Sequence, residues 1–198
     1  NNPIYSLKEN RNIKLYTINE LHIRAENLDK RINSDLFIFV STHRSENQIN
    51  SLSVHPIGNW DKADFGGQEG NLCFSSAVLL KNLFIELNEN AKETNCQITL
   101  EATHHGPFIE KPAVFVEIGS TEKEWNDKSN GEIIAKTIMN GLNNKNNNYK
   151  SCIVLGGGHY NQAANKVMLR TNYAIGHICP KYALGYLDEK ILWQAINK

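Results

Sequence analysis

Ser151-Cys152-Ile153-Val154-Leu155-Gly156-Gly157-Gly158-His159 runs an unbroken apolar strand straight into three glycines and a histidine. A short continuous apolar run bounded by glycine reads as a strand buried on both faces, the kind found in parallel sheets. The same pattern recurs outward from it. Asp35 to Ser41 (DLFIFVS) leads to His43-Arg44, and Gln97 to Ala102 (QITLEA) leads to His104-His105-Gly106-Pro107. Ala113 to Ile118 (AVFVEI) and Tyr173 to Ile178 are further strands. Between them lie helical patterns. Glu20 to Ile32 offers Leu21, Ile23, Ala25 and Leu28, and Leu72 to Asn90 repeats Ala77, Leu80, Phe84 and Leu87 at spacings of three and four. Thr121-Glu122-Lys123-Glu124 matches a capping box opening a short helix with Trp125, and Glu132 to Leu142 is a further helix. Strands alternating with helices predict an α/β fold, a mostly parallel mixed sheet flanked by helices. In such sheets ligands bind in the crevice outside the strands' carboxyl ends, where His43, His104, His105 and His159 are expected.

Ile4 to Leu7 and Ile13 to Ile18 read as two strands joined by the polar turn Lys8 to Asn12, and Asn143 to Asn148 as a solvated loop. The segment after Ser41 reads as a long polar loop holding His43, His55, Trp60 and Gly66-Gly67. At 198 residues the chain suffices for one sizeable core, so residues 1–198 are expected as a single α/β catalytic domain. It opens on Asn1 instead of Met and closes in Trp193 to Lys198, which reads as an unfinished helix, so trimmed ends are expected. Formal net charge is zero, which argues against a protein held to nucleic acid by bulk charge and leaves room for a local basic patch. Cys73, Cys96, Cys152 and Cys179 lie scattered in apolar segments with no C-x-x-C pair, which predicts reduced thiols and a cytoplasmic protein. No apolar stretch approaches the ~20 residues that a membrane-spanning helix needs.

Candidate chemistry gathers on histidine, which titrates near neutrality and readily binds transition metals. His22 sits on the early helix, where a surface position is expected. The other six fall in five short clusters: Ser41 to Ser45 around His43, His55 to Trp60, Glu101 to Pro107, Gly156 to Tyr160, and Gly176 to Pro180. Neighbours on an extended chain face opposite ways, so His104 and His105 share a ligand only if the chain turns, which Gly106 permits. Three glycines let the N–H groups of Gly157 and Gly158 approach an anion or a developing oxyanion, with His159 beside them as base, acid or ligand. A dinucleotide fingerprint is excluded, because its third glycine would fall on Asn161. His43 and Arg44 suit a phosphate or carboxylate, or a loop ion pair. Trp60 either stacks on a base or packs down as a lid. Glu117 is a base, a ligand or an orienter of a histidine. His177 and Cys179 suit a soft metal site in spacing, but a core histidine beside a buried thiol is the preferred reading.

Taken in order, these clusters resemble the archaeal and plant type of D-aminoacyl-tRNA deacylase, the D-tyrosyl-tRNA deacylase class. The matching segments are His43-Arg44-Ser45, His55 with Gly58-Asn59-Trp60, Glu101 to Pro107, Glu117 to Ser120 with Glu124-Trp125, Gly131 to Ile134, Gly156 to Tyr160, and Gly176-His177 with Pro180-Lys181-Tyr182. The resemblance implies hydrolysis of the ester joining a D-amino acid to tRNA, zinc as cofactor, and a fold similar to peptidyl-tRNA hydrolase and phosphorylase-like proteins. It also implies an N-terminal βα segment and a C-terminal strand and helix that this chain does not carry.

An aminoacyl ester is already activated, so its hydrolysis needs a positioned water, a sink for the oxyanion charge, and discrimination by shape. Metal-ligand candidates are His55, His104, His159 and Glu117; catalytic candidates are Glu101, His104, His105 and His159 with the N–H groups of Gly157 and Gly158. Substrate contacts are expected at His43, Arg44, Trp60 and Lys181, with Lys123, Lys166 and Arg170 as further phosphate contacts. The expected partner is the acceptor end of D-aminoacyl-tRNA, bound by a monomer with modest, salt-dependent affinity. Other readings are a peptidyl-tRNA hydrolase or zinc-dependent amidohydrolase of the same fold, and a non-catalytic tRNA-acceptor-binding domain. Six clustered histidines speak against the last.

Overall fold

The computed structural model describes residues 3–44 and 48–198, so Asn1, Asn2 and the Ser45 end of the first histidine cluster lie outside the described residues. Along the chain come β1 (Ile4–Ser6), β2 (Lys14–Tyr16), α1 (Leu28–Arg31), β3 (Phe37–Arg44), β4 (Ser51–Pro56), β5 (Gly58–Asn59), β6 (Asn71–Leu72), α2 (Ala77–Asn90), β7 (Gln97–Leu100) and β8 (Ala113–Ser120). Then follow α3 (Glu122–Trp125), α4 (Lys128–Asn143), β9 (Lys150–Leu155), α5 (Gln162–Arg170), β10 (Tyr173–Cys179) and α6 (Glu189–Asn197).

Four strands make the central sheet in the order β3-β8-β4-β7. β3 runs parallel to β8 and β4 parallel to β7, whereas β4 and β8 are antiparallel. The parallel pair β9–β10 adjoins the end of β7, where Thr103 N–H donates to Ile178 C=O at 2.9 Å. This is the mixed α/β architecture that the sequence predicts, but the crevice is elsewhere. The carboxyl ends of β3 and β8 lie at the opposite edge from those of β4 and β7, so no single edge can collect the histidines. They meet on one face of the sheet.

The two faces divide the labour. Leu52, Val54, Leu100, Val114, Val116 and Ile118 pack with Leu80, Leu83, Phe84 and Leu87 of α2 and Ile133 and Ile134 of α4. Each large apolar side chain enclosed there contributes about 1.5–3 kcal/mol, enough for this layer to carry the fold while the other face stays partly polar. Side chains directly opposite one another share a face. On the second face Phe115 lies opposite Phe39 and His55, Glu117 opposite Ser41 and Ser53, and Gly119 opposite His43 and Ser51. One half of that face is therefore apolar, with Phe37, Phe39 and Phe115 packed against Leu28, Ile57 and Ile109. The other half is a polar stripe. Lys81 is an enclosed cation in the helical layer: its ammonium donates to Thr171 C=O at 2.6 Å and Tyr173 C=O at 2.8 Å, tying α2 to the α5–β10 turn.

Several elements depart from the sequence reading. Ser51 to Pro56, expected as loop, is a fully buried central strand. The helix expected over Glu20 to Ile32 is cut into a 3₁₀ turn at His22–Arg24 and the short α1, separated by Asn27 with φ 54°. Tertiary bonds outweigh helical propensity there. The Glu26 carboxylate accepts Gly67 N–H at 2.6 Å and Phe108 N–H at 2.7 Å, and Asn27 N–H donates to Phe108 C=O. His22, expected at the surface, is half-buried beside Phe39. The helix expected from Leu72 starts at Ala77 with a Ser76 cap, because Leu72 is used in β6 opposite Gly58. Neither β3 nor β9 is buried on both faces, since among the described residues each pairs on one side only and leaves Val40 and Leu155 half-exposed. The capping box at Thr121–Glu124 forms as expected.

Candidate active site

Five segments bring their side chains to the polar stripe. β4 supplies His55, β8 Glu117, β3 His43, the chain beyond β7 Glu101, His104 and His105, and the loop after β9 His159. The turn that lets adjacent histidines converge is at His105 itself, whose φ is 44°, a left-handed conformation that histidine tolerates better than most residues. Gly106 serves a different need: a Cβ there would run into the backbone of Gly66 and Gly67. Thr103 anchors the turn from behind, its Oγ1 accepting Ile178 N–H at 2.9 Å and its carbonyl accepting the Trp60 indole N–H at 3.0 Å. Trp60 thus lies enclosed beneath the site, packed with Leu72, Cys179 and Ala183, and not at its mouth.

The rings of His55, His104 and His105 lie 4.2–4.9 Å apart between centroids. Nδ1 of His55 is 3.0 Å from Pro56 C=O, that of His104 is 2.8 Å from Ala102 C=O, and that of His105 is 2.6 Å from Gly106 C=O. A carbonyl only accepts, so each Nδ1 donates and, in the neutral ring, each Nε2 keeps its lone pair. Backbone carbonyls that orient ligating histidines do the same in metal sites. Three ligand atoms from these rings fall within 4.8 Å of one another, and His55 Nε2 is buried with no hydrogen-bond partner.

His159 is held differently. Its Nε2 lies 2.8 Å from Glu101 Oε2 and its Nδ1 3.1 Å from the Tyr182 hydroxyl. Burial pushes the Glu101 carboxyl up, but the His159 hydrogen bond and the nearby His55 and His43 outweigh it and bring it down to about 2. The carboxylate is ionised and accepts, so Nε2 of His159 carries the proton and Tyr182 O–H donates to Nδ1. Burial opposes charge on His55, yet Glu117 and Glu101 overcome it and raise its pKa. Burial together with His55 holds His104 well below the usual range and His105 at about 3.

Glu117 Oε2 stands 3.4 Å from His55 Nε2 and 3.8 Å from His43 Nδ1, and His43 is 4.0 Å from Glu101. The four metal candidates His55, His104, His159 and Glu117 do not form one group. Among the described residues three overlapping sets occur instead: His55–His104–His105, Glu101–His104–His159, and His43–Glu101–Glu117. His55 and Glu101 are fully buried at the floor, while His159 and His43 reach the mouth. Ser53 Oγ, Glu101 Oε1 and Glu117 Oε2 are buried without a hydrogen-bond partner. Arg44 is exposed with its guanidinium over Trp125, whose indole N–H donates to His43 C=O at 3.2 Å. Lys181 is exposed and donates its N–H to Gly157 C=O at 2.8 Å. His177 and Cys179 are both buried, with His177 Nδ1 3.3 Å from Thr103 Oγ1 and Cys179 packed with Trp60 and Leu72.

The glycine loop is specified at one position above all. Gly157 has φ +84° and a Cβ on it would strike the Asn161 side chain, which caps α5 and donates to Gly156 C=O at 2.8 Å. Gly157→Ala is expected to cost roughly 1–3 kcal/mol of stability, seen as a lower melting temperature. A melting temperature equal to that of the unsubstituted protein would remove this role from Gly157. The serines of β4 escaped the sequence reading, though the period-two pattern Ser51-Leu52-Ser53-Val54-His55 was their signal, and Tyr182 entered it only within the segment Pro180-Lys181-Tyr182, with no role assigned. A groove of about 570 Å³ between the β1–β2 hairpin and β3 shares no residue with this cluster except through the strand that carries His43.

A family model described as D-aminoacyl-tRNA deacylase matches residues 30–198. The D-aminoacyl-tRNA deacylase of Methanosarcina mazei is 38% identical over 194 residues, covering 93% of this chain and 64% of its own length. That of Thermococcus kodakarensis is 35% identical over 205 residues, covering 100% of this chain and 74% of its own. That of Pyrococcus furiosus is 38% identical, covering 93% and 70%. The chain therefore spans a little under two thirds of the Methanosarcina mazei relative. A crystal structure described as a conserved protein of unknown function superposes with a TM-score of 0.92 at 31% identity, over 98% of this chain and 70% of that one.

Proposed function

The chain belongs to the D-aminoacyl-tRNA deacylase family, and from that premise we propose that it hydrolyses the ester between a D-amino acid and the 3′ end of tRNA, releasing both. The observation that carries this reading is the 2.8 Å pair of buried Glu101 with His159 at the mouth, set against three histidines with Nε2 lone pairs to offer. His55, His104 and His105 fit zinc in donor type, in tautomer and in the orphaned state of His55 Nε2, and they would hold it. Zinc bound there supplies Lewis acidity toward an ester carbonyl or a water.

The chain's own groups do the rest. Glu101 keeps the proton of His159 on Nε2, which leaves Nδ1 as the basic nitrogen. Because Nδ1 accepts the Tyr182 O–H, it takes the proton of the attacking water through that hydroxyl, which passes its own proton to Nδ1 as it receives one from the water. Glu117 orients His43 and sets its negative charge against His55 Nε2. The N–H groups of Gly157 and Gly158 are the proposed donors to the developing oxyanion. Exposed Arg44 and Lys181 are the proposed phosphate contacts. The two enantiomers carry the same polar groups, so rejection of L-aminoacyl esters has to come from walls near Cα. The proposed partner is the acceptor end of D-aminoacyl-tRNA, the proposed form a monomer, and the proposed compartment the cytoplasm where charged tRNA is used. No helix among the described residues is long and apolar enough to cross a membrane.

The test is deacylation of D-Tyr-tRNA and L-Tyr-tRNA, with and without chelator and with zinc added back, beside the metal content of the protein. Turnover of the D-ester is expected to exceed that of the L-ester, to disappear with chelator and to return with zinc. Equal turnover of the two esters, or preference for an N-acylated L-aminoacyl-tRNA, would overturn the substrate assignment. Turnover that survives chelation in protein free of zinc would overturn the cofactor.

A further inference from the structure

Tyr182 is 64% exposed, yet its hydroxyl is turned inward to His159 Nδ1 at 3.1 Å. Held that way, the ring stands at the rim of the site with most of its surface in solvent. Its backbone is fixed. Lys181 N–H donates to Gly157 C=O at 2.8 Å, Ala183 N–H donates to Pro180 C=O at 2.9 Å, and Ala183 is buried against the cluster of Trp60, Leu72 and Cys179. The 3₁₀ turn Lys181–Tyr186 and the glycine loop leading to His159 are thus one piece.

The floor of the site closes on the reacting group. His55 and Glu101 are fully buried and Glu117 nearly so. A nucleoside whose esterified carbonyl reaches His159 has to remain outside. Of the two tyrosines beside His159 the one that presents an open ring is Tyr182, since Tyr160 is half-buried with its hydroxyl 3.1 Å from Ser51 Oγ. Among the described residues the rim at His43 offers no comparably open ring, because the Arg44 guanidinium lies over Trp125 and Tyr160, 6.1 Å from His43 between centroids, is half-buried. Aromatic side chains accept any base, since every base has a π face. Lys181, exposed next to Tyr182, offers a cation to the phosphate on the 5′ side of that nucleoside.

We propose that Tyr182 seats the 3′-terminal nucleoside of the substrate, its ring stacking on the base while its hydroxyl stays on His159; this rests on the deacylase reading. The test titrates two non-hydrolysable probes, 3′-(D-tyrosylamido)adenosine and D-tyrosine amide, against the unsubstituted chain, Tyr182→Ala and Tyr182→Phe. The nucleoside probe is expected to bind the unsubstituted chain about tenfold or more tightly than the amide, in line with what one stacked base contributes. Tyr182→Ala should erase most of that preference. Tyr182→Phe should keep it and lower kcat on D-Tyr-tRNA, because only the hydroxyl on His159 is lost. The exposed position makes both variants safe for the fold, which circular dichroism verifies. No preference in the unsubstituted chain, or full preference in Tyr182→Ala, overturns the proposal. D-Tyr-tRNA turnover by the unsubstituted chain is scored separately: if it is absent while the preference persists and depends on Tyr182, the deacylase reading fails and the nucleoside seat stands.

Discussion

Glu101→Gln is expected to lower kcat on D-Tyr-tRNA by roughly 10²–10⁴-fold, the range associated with a positioned acid–base group, with the fold retained. The substitution keeps shape and volume and removes only the charge. Three histidines lean on that charge: His159 at 2.8 Å, His104 at 3.7 Å and His43 at 4.0 Å. A carboxylate held down at about 2 can only accept from His159, so it leaves Nδ1 basic. A carboxamide can turn its NH2 to Nε2 instead, which moves the imidazole proton to Nδ1 and silences the nitrogen that faces the mouth. Glu101→Asp retains the charge and shortens the reach, so its kcat should fall between the two. Steady-state kinetics and zinc content of the three proteins decide the matter. A Gln variant whose metal content matches that of the unsubstituted protein and whose kcat stays within about threefold of the original would take Glu101 out of the proton path.

Which parts of the fold can be read from residues follows from what faces what. Ala113 to Ile118 and Gln97 to Leu100 announce themselves because they are rich in apolar residues inside the core, and the body of α2 does so through Leu80, Phe84 and Leu87. β4 hides because its site face is Ser51, Ser53 and His55, so a central strand has the composition of a loop. Strand direction is not written in any one segment. That β4 runs against β8 decides that the site lies on a face and not at an edge, and it emerges only from pairing. The broken helix before α1 is likewise a tertiary outcome, since the Glu26 carboxylate satisfies N–H groups from two distant loops.

At the site, the histidine clusters name the participants but not their roles. Adjacent His104 and His105 look unable to cooperate until the left-handed turn at His105 is seen. The difference between His55, His104 and His105 on one hand and His159 on the other rests on whether Nδ1 meets a carbonyl or a hydroxyl. No spacing rule supplies that. Tyr182 is 23 residues from His159 in sequence and reaches it because the Lys181–Gly157 backbone bond folds the two turns together. Arg44 and Lys181 remain at the surface in keeping with phosphate contact, while Trp60, judged by residue type alone, is packing beneath the floor.

Acid is expected to unfold the zinc-free protein from about pH 6.5 downward, before carboxylate titration alone would act. Burial lowers four rings from the usual 6.5, His22 among them, and three of them far: His105 and His177 to about 3, and His104 well below the usual range, the last reinforced like His105 by neighbouring histidines. A histidine with a depressed folded pKa stays neutral in the fold while the unfolded chain takes up a proton. Its contribution is therefore complete above about 6.5 and is lost as pH falls toward the folded value. Within that window each such ring costs about 1.4 kcal/mol per pH unit, so three together cost about 4 kcal/mol per unit against a typical total of about 5–15 kcal/mol. Glu101 adds to the loss lower down, since its stabilisation is present above about 4.5 and goes as pH falls toward 2. His55 runs the other way: its pKa is raised, so its share is full below 6.5 and is lost as pH rises through its folded value. Thermal melts of chelator-dialysed protein between pH 8 and pH 4 should show a melting temperature that drops steeply below pH 6.5. His177 stands apart from the ligand cluster, so His177→Gln should make the drop about a third shallower, isolating one ring. A melting temperature that stays level from pH 7 to pH 5 would mean that these rings are not held neutral in the fold, and the lone pairs assigned to His104 and His105 would go with them.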